Sequence, residues 1–286
     1  VILTGRPAEP VPAAPDIGTL LRHWRGVRRM SQLALAVEAA TTTRYVSFVE
    51  TGRANPSRDM VIRLATALDV PFRERNALLV AAGYAPRYAE LPLGGAALHH
   101  VEAALRAMLA HHEPYPAVVM DRGWHVLRSN AGARRLFGGL LHPQPIPVDA
   151  NVLRLMLGPG PVREAVLNWP DVVAALLSRV RREAIGGVLD PATAALVTEL
   201  TGLPEVAAVR HGDPPTEPVL DVRFRFGAHD LTFFSLLTTV GTPVDLTSQE
   251  LRVEQFFPVD DATRGAWLAG GGATADRASV YGRDHP

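Results

Sequence analysis

Hydrophobic positions recur along this chain in two rhythms, a helical one first and a strand-like one later. Over Ile17 to Arg29 the apolar residues Ile17, Leu20, Leu21, Trp24 and Val27 fall at helical spacing, and Arg22, Arg25, Arg28 and Arg29 take much of the remaining surface. Ser31 caps a second predicted helix, Gln32 to Ala39, whose apolar face is Leu35 and Ala36; Ala40-Thr41 makes a turn. Thr42 caps a third helix that runs through Glu50 and buries Val46 and Val49. Gly52 ends it, and Asn55-Pro56-Ser57 leads as a loop into a fourth helix near Arg58–Leu68. After the break at Pro71, Arg73 to Ala82 reads as a fifth helix closed by Gly83. The pattern predicts a compact all-α domain over residues 17–90.

Past Gly94-Gly95 the texture changes. Ala96 to His112 is helical, with Leu98, Val101, Leu105 and Met108 on one face. A strand at Ala117–Met120 then enters a tight Asp121-Arg122-Gly123 turn, followed by a strand at Trp124–Ser129 and a helix led by Asn130. A hairpin followed at once by an Asn-led helix resembles the opening of PAS-type sensor domains. The middle is mostly helical, including Trp169–Arg182 and Asp190–Thr201. Leu220, Val222, Phe224 and Phe226 then alternate with Asp221, Arg223 and Arg225, which predicts a strand with one wet face. Leu231–Val240 is apolar on both sides in places, as a central strand would be. Leu251–Phe257 supplies a fifth strand and Ala262–Leu268 a short closing helix. The expected fold is α+β: a five-helix domain, then a five-stranded antiparallel sheet over 96–269 with helices inserted between strands two and three. Residues 1–16, with Pro7, Pro10, Pro12 and Pro15, read as a disordered lead-in, and 270–286 as a flexible tail.

Composition narrows the chemistry. The 286 residues contain no cysteine, which excludes disulfides, thiolate catalysis and Cys-based zinc sites. All 29 basic residues are arginine, balanced by 29 acids. The balance is uneven: residues 17–90 hold 11 Arg against 6 acids, net +5, while residues 91–286 hold 17 Arg against 21 acids, net −4. A positive first third suits a DNA-binding head, because phosphate neutralisation supplies most non-specific affinity. No apolar run approaches the ~20 residues of a membrane-spanning helix, and no signal-peptide pattern opens the chain, so the expected compartment is the cytoplasm, with no membrane partner.

The second and third helices stand at the spacing a helix-turn-helix needs to place its third helix in a major groove. Gln32, at an exposed helix N-terminus, is expected to grip phosphate beside free backbone N–H groups. Thr43, Arg44 and Ser47 should project from the groove-facing side. Arg44 is the candidate for reading guanine, since a guanidinium bridges O6 and N7. Arg53, Asn55 and Arg58 are placed for phosphates beyond the helix. Glu50 is expected to pair with a nearby Arg and fix the helix exit, because a carboxylate aimed at phosphates is repelled.

Ser31-Gln32, Leu35-Ala36, Ser47, Glu50, Gly52-Arg53 and Pro56 together resemble the Xre/lambda-repressor-like domains. The segments Thr43–Arg53, Pro56–Arg58, Arg73–Asn76 and Ala82–Pro86 are similar, more closely, to the MmyB-like regulators. Glu113–Ala117 with Asp121-Arg122 and Trp124 looks like the start of that family's second domain. Thr42 stands where Ser is commoner, a conservative change, since both cap helices. The resemblance implies a PAS-like ligand-binding domain, with a fatty acid or similar apolar molecule as the ligand class. Trp124, Leu127, Leu136, Phe137, Phe224, Phe226, Phe233 and Phe256 are the candidate walls of a pocket, and they are equally what a sheet-on-helix core requires. An acidic headgroup would want an arginine such as Arg128 or Arg154, and spacing selects neither.

Signals of catalysis are weak. His99-His100 and His111-His112 invite a metal, yet positions 100 and 111 are three turns apart, roughly 16 Å, too far to share an ion. Gly158-Pro159-Gly160-Pro161 is a turn, since proline removes the N–H groups of a phosphate cradle. The sequence therefore reads as a non-enzymatic regulator without a cofactor. It should bind a pseudo-palindromic double-stranded DNA operator as a homodimer and sense a small apolar ligand. The alternatives are a C-terminal domain that only dimerises, or one that carries lipid or catalyses.

Overall fold

The computed structural model describes residues 15–184, 191–209 and 219–270. The lead-in and tail read from the sequence lie, but for their inner edges, outside the described residues. The chain divides into two compact units at Ala89/Glu90.

Among its described residues the first unit has five helices: α1 (Ile17–Val27), α2 (Gln32–Glu38), α3 (Thr43–Glu50), α4 (Arg58–Ala67) and α5 (Phe72–Ala81). Local chemistry sets four of the starts. The side chains of Asp16, Ser31, Thr42 and Ser57 accept from the backbone N–H three residues on, replacing a bond the helix itself cannot make. The end of α3 is equally local. Gly52 lies at φ +73°, and Gly52 N and Arg53 N donate to the carbonyls of Val49 and Phe48 at 3.1 and 2.8 Å. This left-handed exit suits glycine, which has no Cβ to clash. Leu21, Trp24, Leu35, Val46, Val49, Leu64 and Leu79 are buried and form the core. At Gly18 α1 crosses α3 so closely that a Cβ would meet the Val49 and Glu50 carbonyl oxygens at 2.6 and 2.7 Å.

In the second unit a 3-10 turn (Ala96–Leu98) leads into α6 (His99–His111), then β1 (Ala117–Met120) and β2 (Val126–Ser129). The inserted helices follow: α7 (Ala131–Leu141), α8 (Val152–Leu157), α9 (Pro161–Ala165), α10 (Trp169–Glu183), α11 (Pro191–Thr201) and α12 (Pro204–Ala207). The chain returns through β3 (Asp221–Phe226), β4 (His229–Thr239), α13 (Leu246–Glu250), β5 (Arg252–Pro258) and α14 (Asp261–Ala269). The strands form one antiparallel sheet in the order β2-β1-β5-β4-β3. The fold is α+β, as the two rhythms predict.

Two layers cover the sheet. On one face Val118, Met120, Phe224, Leu231, Phe233 and Phe256 join the inserted helices and Trp267 of α14 in the main core. On the other, Ala117, Val119, Leu251 and Val253 pack under Leu105 and Leu109 of α6. The predicted alternation of β3 holds: Phe224 is buried, while Arg223 and Arg225 are exposed. β4 is less central than its sequence implies. Its register with β3 stops at Asp221↔Phe234, and Leu236 and Leu237 beyond that point are exposed.

The second strand starts later than expected, at Val126. Trp124 adopts φ +68° at the exit of the turn, its N–H bonded to the Asp121 carbonyl at 3.2 Å, so the ladder cannot begin there. The register then slips: Val119 pairs with Arg128 but Met120 with Val126, and Leu127 is left over as a bulge residue. Leu127 consequently packs with the α6 layer.

Candidate functional sites

Glu50 organises the helix-turn-helix. It is buried, and its carboxylate accepts two bonds from Arg25 of α1, Nε to Oε1 at 2.7 Å and Nη2 to Oε2 at 3.0 Å. The Gln32 side-chain nitrogen of α2 donates to Oε2 at 2.8 Å, and Arg22 donates to the Glu50 carbonyl at 2.6 Å. Burial pushes the Glu50 carboxyl upward, but the bonds from Arg25 and Gln32 and the nearby positive charge outweigh it and hold the group below its ordinary value. Arg25 is raised in turn by its bond to Glu50. Three helices are thereby fixed at one carboxylate, which agrees with the pairing expected for Glu50.

Arg44 is exposed on α3, its guanidinium 5.1 Å from the centre of the Phe48 ring, one turn along. Thr43 and Ser47 are half-buried, and Ser47 stands three residues after Arg44 on the same side. Arg53 and Arg58 are exposed, just past α3 and at the start of α4. Among the described residues Arg44, Arg53 and Arg58 take part in no ion pair. Two of the expected contacts are otherwise engaged: Gln32 through its bond to Glu50, and Asn55 through a 3.2 Å bond from its side-chain nitrogen to the Ala82 carbonyl. Arg28, expected as plain surface, instead donates to the Leu68 carbonyl at 2.8 Å and pairs with Asp69. Part of the positive excess thus holds the domain together, while Arg44, Arg53 and Arg58 stay outward on α3, just past it and at the start of α4.

The candidate pocket walls in the second unit separate. Trp124, Leu136, Phe137, Phe224 and Phe233 are buried and fill the main core, while Phe226 is half-buried against Trp267. Leu127 cannot share a pocket with them, because its bulge turns it to the α6 face. Phe256 alone of the eight lines an open groove of about 410 Å³, between α10 and the β3-β4-β5 part of the sheet. Its other apolar walls include Met156, Val172, Leu176, Val222 and Leu237.

Neither Arg128 nor Arg154 lines that groove. Arg128 pairs with Glu102 of α6 at 3.3 Å, and Arg154 makes a two-point pair with Glu199 at 2.6 and 2.9 Å. Arg182 of α10 lines it, and so, more deeply, does Arg179. Arg179 Nε donates to Glu183 Oε1 at 2.8 Å, its Nη1 to both Glu254 oxygens at 3.2 and 3.1 Å, and its guanidinium lies 4.5 Å from the Trp124 ring centre. Burial favours loss of the Arg179 proton, but Glu254 and Glu183 more than offset it and the pKa is raised. The only local signal in the sequence was Arg179 and Glu183 one helical turn apart; Glu254 joins them from 75 residues away.

Among the described residues no helix is long and apolar enough to cross a membrane, and no three His, Asp or Glu side chains stand together as a metal site. Comparison with known proteins agrees with this architecture. No curated protein matches the chain. Among solved structures, an RNA-binding light-oxygen-voltage receptor is similar at 12% identity, over 93% of this chain and 65% of its own length. Its TM-score of 0.25 is too low to bear on the fold or the site. The models of protein families are more specific. A helix-turn-helix domain matches residues 16–78, and the MmyB-like transcription regulator ligand binding domain matches residues 101–268, more than half of the chain. The chain carries a DNA-binding domain and a ligand-binding domain, and it belongs to the MmyB-like transcription regulators.

Proposed function

We propose that this regulator reads an operator with α3 and that a small apolar molecule in the groove under α10 sets its DNA affinity. The observation that carries the first half is the Glu50 anchor. It fixes α1, α2 and α3 together while Arg44 and Ser47 stay outward, with Arg53 and Arg58 flanking them. In that arrangement Arg44 and Ser47, with Thr43, contact base edges. Arg53 and Arg58 contact phosphates, as do the Gln32 and Leu33 N–H groups at the start of α2, since Ser31 already takes that of Ala34. Gln32 and Asn55 contribute by holding the elements that present these groups. A homodimer on two half-sites supplies register and affinity that one short helix cannot.

The sheet order β2-β1-β5-β4-β3, with its helices inserted after the first hairpin, supports a PAS-like sensor. An apolar groove with a few convergent polar groups supports a ligand of fatty-acyl type. The ligand works by favouring one of two pre-existing arrangements of the dimer. Selection from a random pool of DNA duplexes tests the DNA half. Recovery of two symmetry-related half-sites about 10 bp apart, or a multiple of that spacing, is the expected result. A pool that returns no preferred sequence sinks the reading.

A further inference from the structure

We infer that the groove under α10 takes its ligand in an electrically neutral form, as an apolar chain whose polar end offers a hydrogen-bond acceptor to Arg179. This rests on the reading of that groove as the ligand site.

The argument begins with charge. At the buried polar end of the groove Arg179, Glu183 and Glu254 are walls, and Arg252 stands behind them, giving a cluster of two guanidinium groups and two carboxylates. Arg179 is shared between Glu183 and Glu254, and Arg252 Nη1 donates to the second Glu183 oxygen. Ser235 of β4 donates its hydroxyl to Glu254 at 2.7 Å. Within that cluster each positive charge already faces a negative one; Arg182 of α10, exposed at the mouth of the groove, has no ion pair among the described residues. The wider circle is paired too: Arg122 and Glu250 stand 3.2 Å apart, and Asp121 adds its field at Arg252. β3 brings only apolar lining, through Val222. Two guanidinium groups thus balance two carboxylates, and the cluster holds no spare positive charge for a third anion.

The second observation is a hydrogen-bond donor. Arg179 lines the groove, and its Nη2 is buried with no hydrogen-bond partner among the described residues, although Nε and Nη1 are both bonded. A carbonyl or other neutral acceptor satisfies that N–H without adding charge. A carboxylate in the same place lies beside Glu183 and Glu254, whose negative charge repels it, so a fatty acid enters protonated. The competing arrangement puts a carboxylate at the mouth, on Arg182, which is exposed and donates to Ser178 at 2.8 Å.

The test is calorimetric titration of the full chain with decanamide and with decanoate, two probes of equal length and nearly equal shape, at pH 6 and pH 8. Decanamide should bind with the same affinity at both values. It also reports any titration of the protein's own groups. Decanoate should bind more weakly than decanamide at pH 8 and lose about 100-fold between pH 6 and pH 8, because the neutral acid becomes tenfold scarcer per unit above a carboxyl pKa near 4–5. The substitution Glu254→Gln removes one negative charge and should make decanoate the preferred probe. If that variant fails to fold, the wild-type pair still decides. Decanoate binding as tightly as decanamide with no pH dependence overturns the inference and leaves the groove a ligand site. So does a decanoate preference that Arg182→Gln abolishes. If neither probe binds, the reading of the groove fails and the inference falls with it.

Discussion

Arg25 and Glu50 form a two-point ion pair between the first and third helices, with both carboxylate oxygens engaged and the Glu50 side chain only 2% exposed. The pair is the fulcrum of the DNA-binding unit, since Glu50 also receives Gln32 from the second helix. Its geometry is demanding, because removing one partner leaves a half-buried charge without compensation. Glu50→Ala should therefore cost about 3 kcal/mol, at the lower end of the range for broken buried pairs because Arg25 keeps 20% exposure. The loss should appear as faster hydrogen exchange at the Val46 and Val49 amides. Unchanged protection there would reduce the pair to a surface ornament.

The same pair sets a pH dependence. Glu50 has a lowered pKa in the fold, so its contribution is fully present above the ordinary value of 4.5 and fades as pH falls through the folded value. The difference in α3 protection between the wild type and Glu50→Gln should thus be constant from neutral pH down to about 5 and shrink below the unperturbed carboxyl value. A difference that grows on acidification would contradict the sign.

Arg44 and Arg58 should fail in different ways. Arg44→Ala should cost ~1–3 kcal/mol of discrimination at one base position, because the proposed bidentate base contact is lost. Arg58→Ala should weaken all duplexes alike and reduce the salt slope by about one. Binding to a selected operator and to a scrambled duplex, across a salt series, separates the two. An Arg44→Ala variant that ranks sequences as the wild type does would remove Arg44 from the reading face.

Much of this unit is legible in the sequence because its determinants are local. Ser31 and Thr42 cap helices that begin at the next residue, and Gly52 closes the third. The fates of the polar residues are less legible. Gln32, Arg25 and Asn55 all read as surface, and each is engaged by a group 18 to 27 positions away, at distances no periodicity encodes. The second unit repeats the lesson. Alternation marks β3, but the faces of Trp124 and Leu127 depend on a left-handed residue and a bulge. Those features follow from how the hairpin meets the rest of the sheet, and the composition of the strand does not carry them.

Gly18 makes one such long-range requirement testable. A methyl group there meets two backbone carbonyls of α3, which cannot rotate aside. Gly18→Ala should gain helix propensity within α1 yet lose about 1–3 kcal/mol overall from overpacking, with α3 displaced and operator affinity reduced. A higher thermal midpoint with unchanged DNA binding would show that α1 and α3 can separate freely.

Leu127 and Phe256 offer a paired test of the groove. Both were candidate walls, and both lose buried contacts when truncated, so each Ala variant should be destabilised by about 2–5 kcal/mol, with Leu127 at the low end because it is only half-buried. Their effects on ligand should differ. A saturating apolar ligand specific to the native state raises stability by roughly 2.7 kcal/mol at a hundredfold excess over Kd. Leu127→Ala, altered on the α6 face, should keep that increment intact. Phe256→Ala, altered in the groove wall, should lose about half of it at the same ligand concentration, because a tenfold weaker site forfeits about 1.4 kcal/mol. The comparison cancels the general cost of core truncation. If both variants respond to ligand alike, the binding site is elsewhere than the α10 face of the sheet.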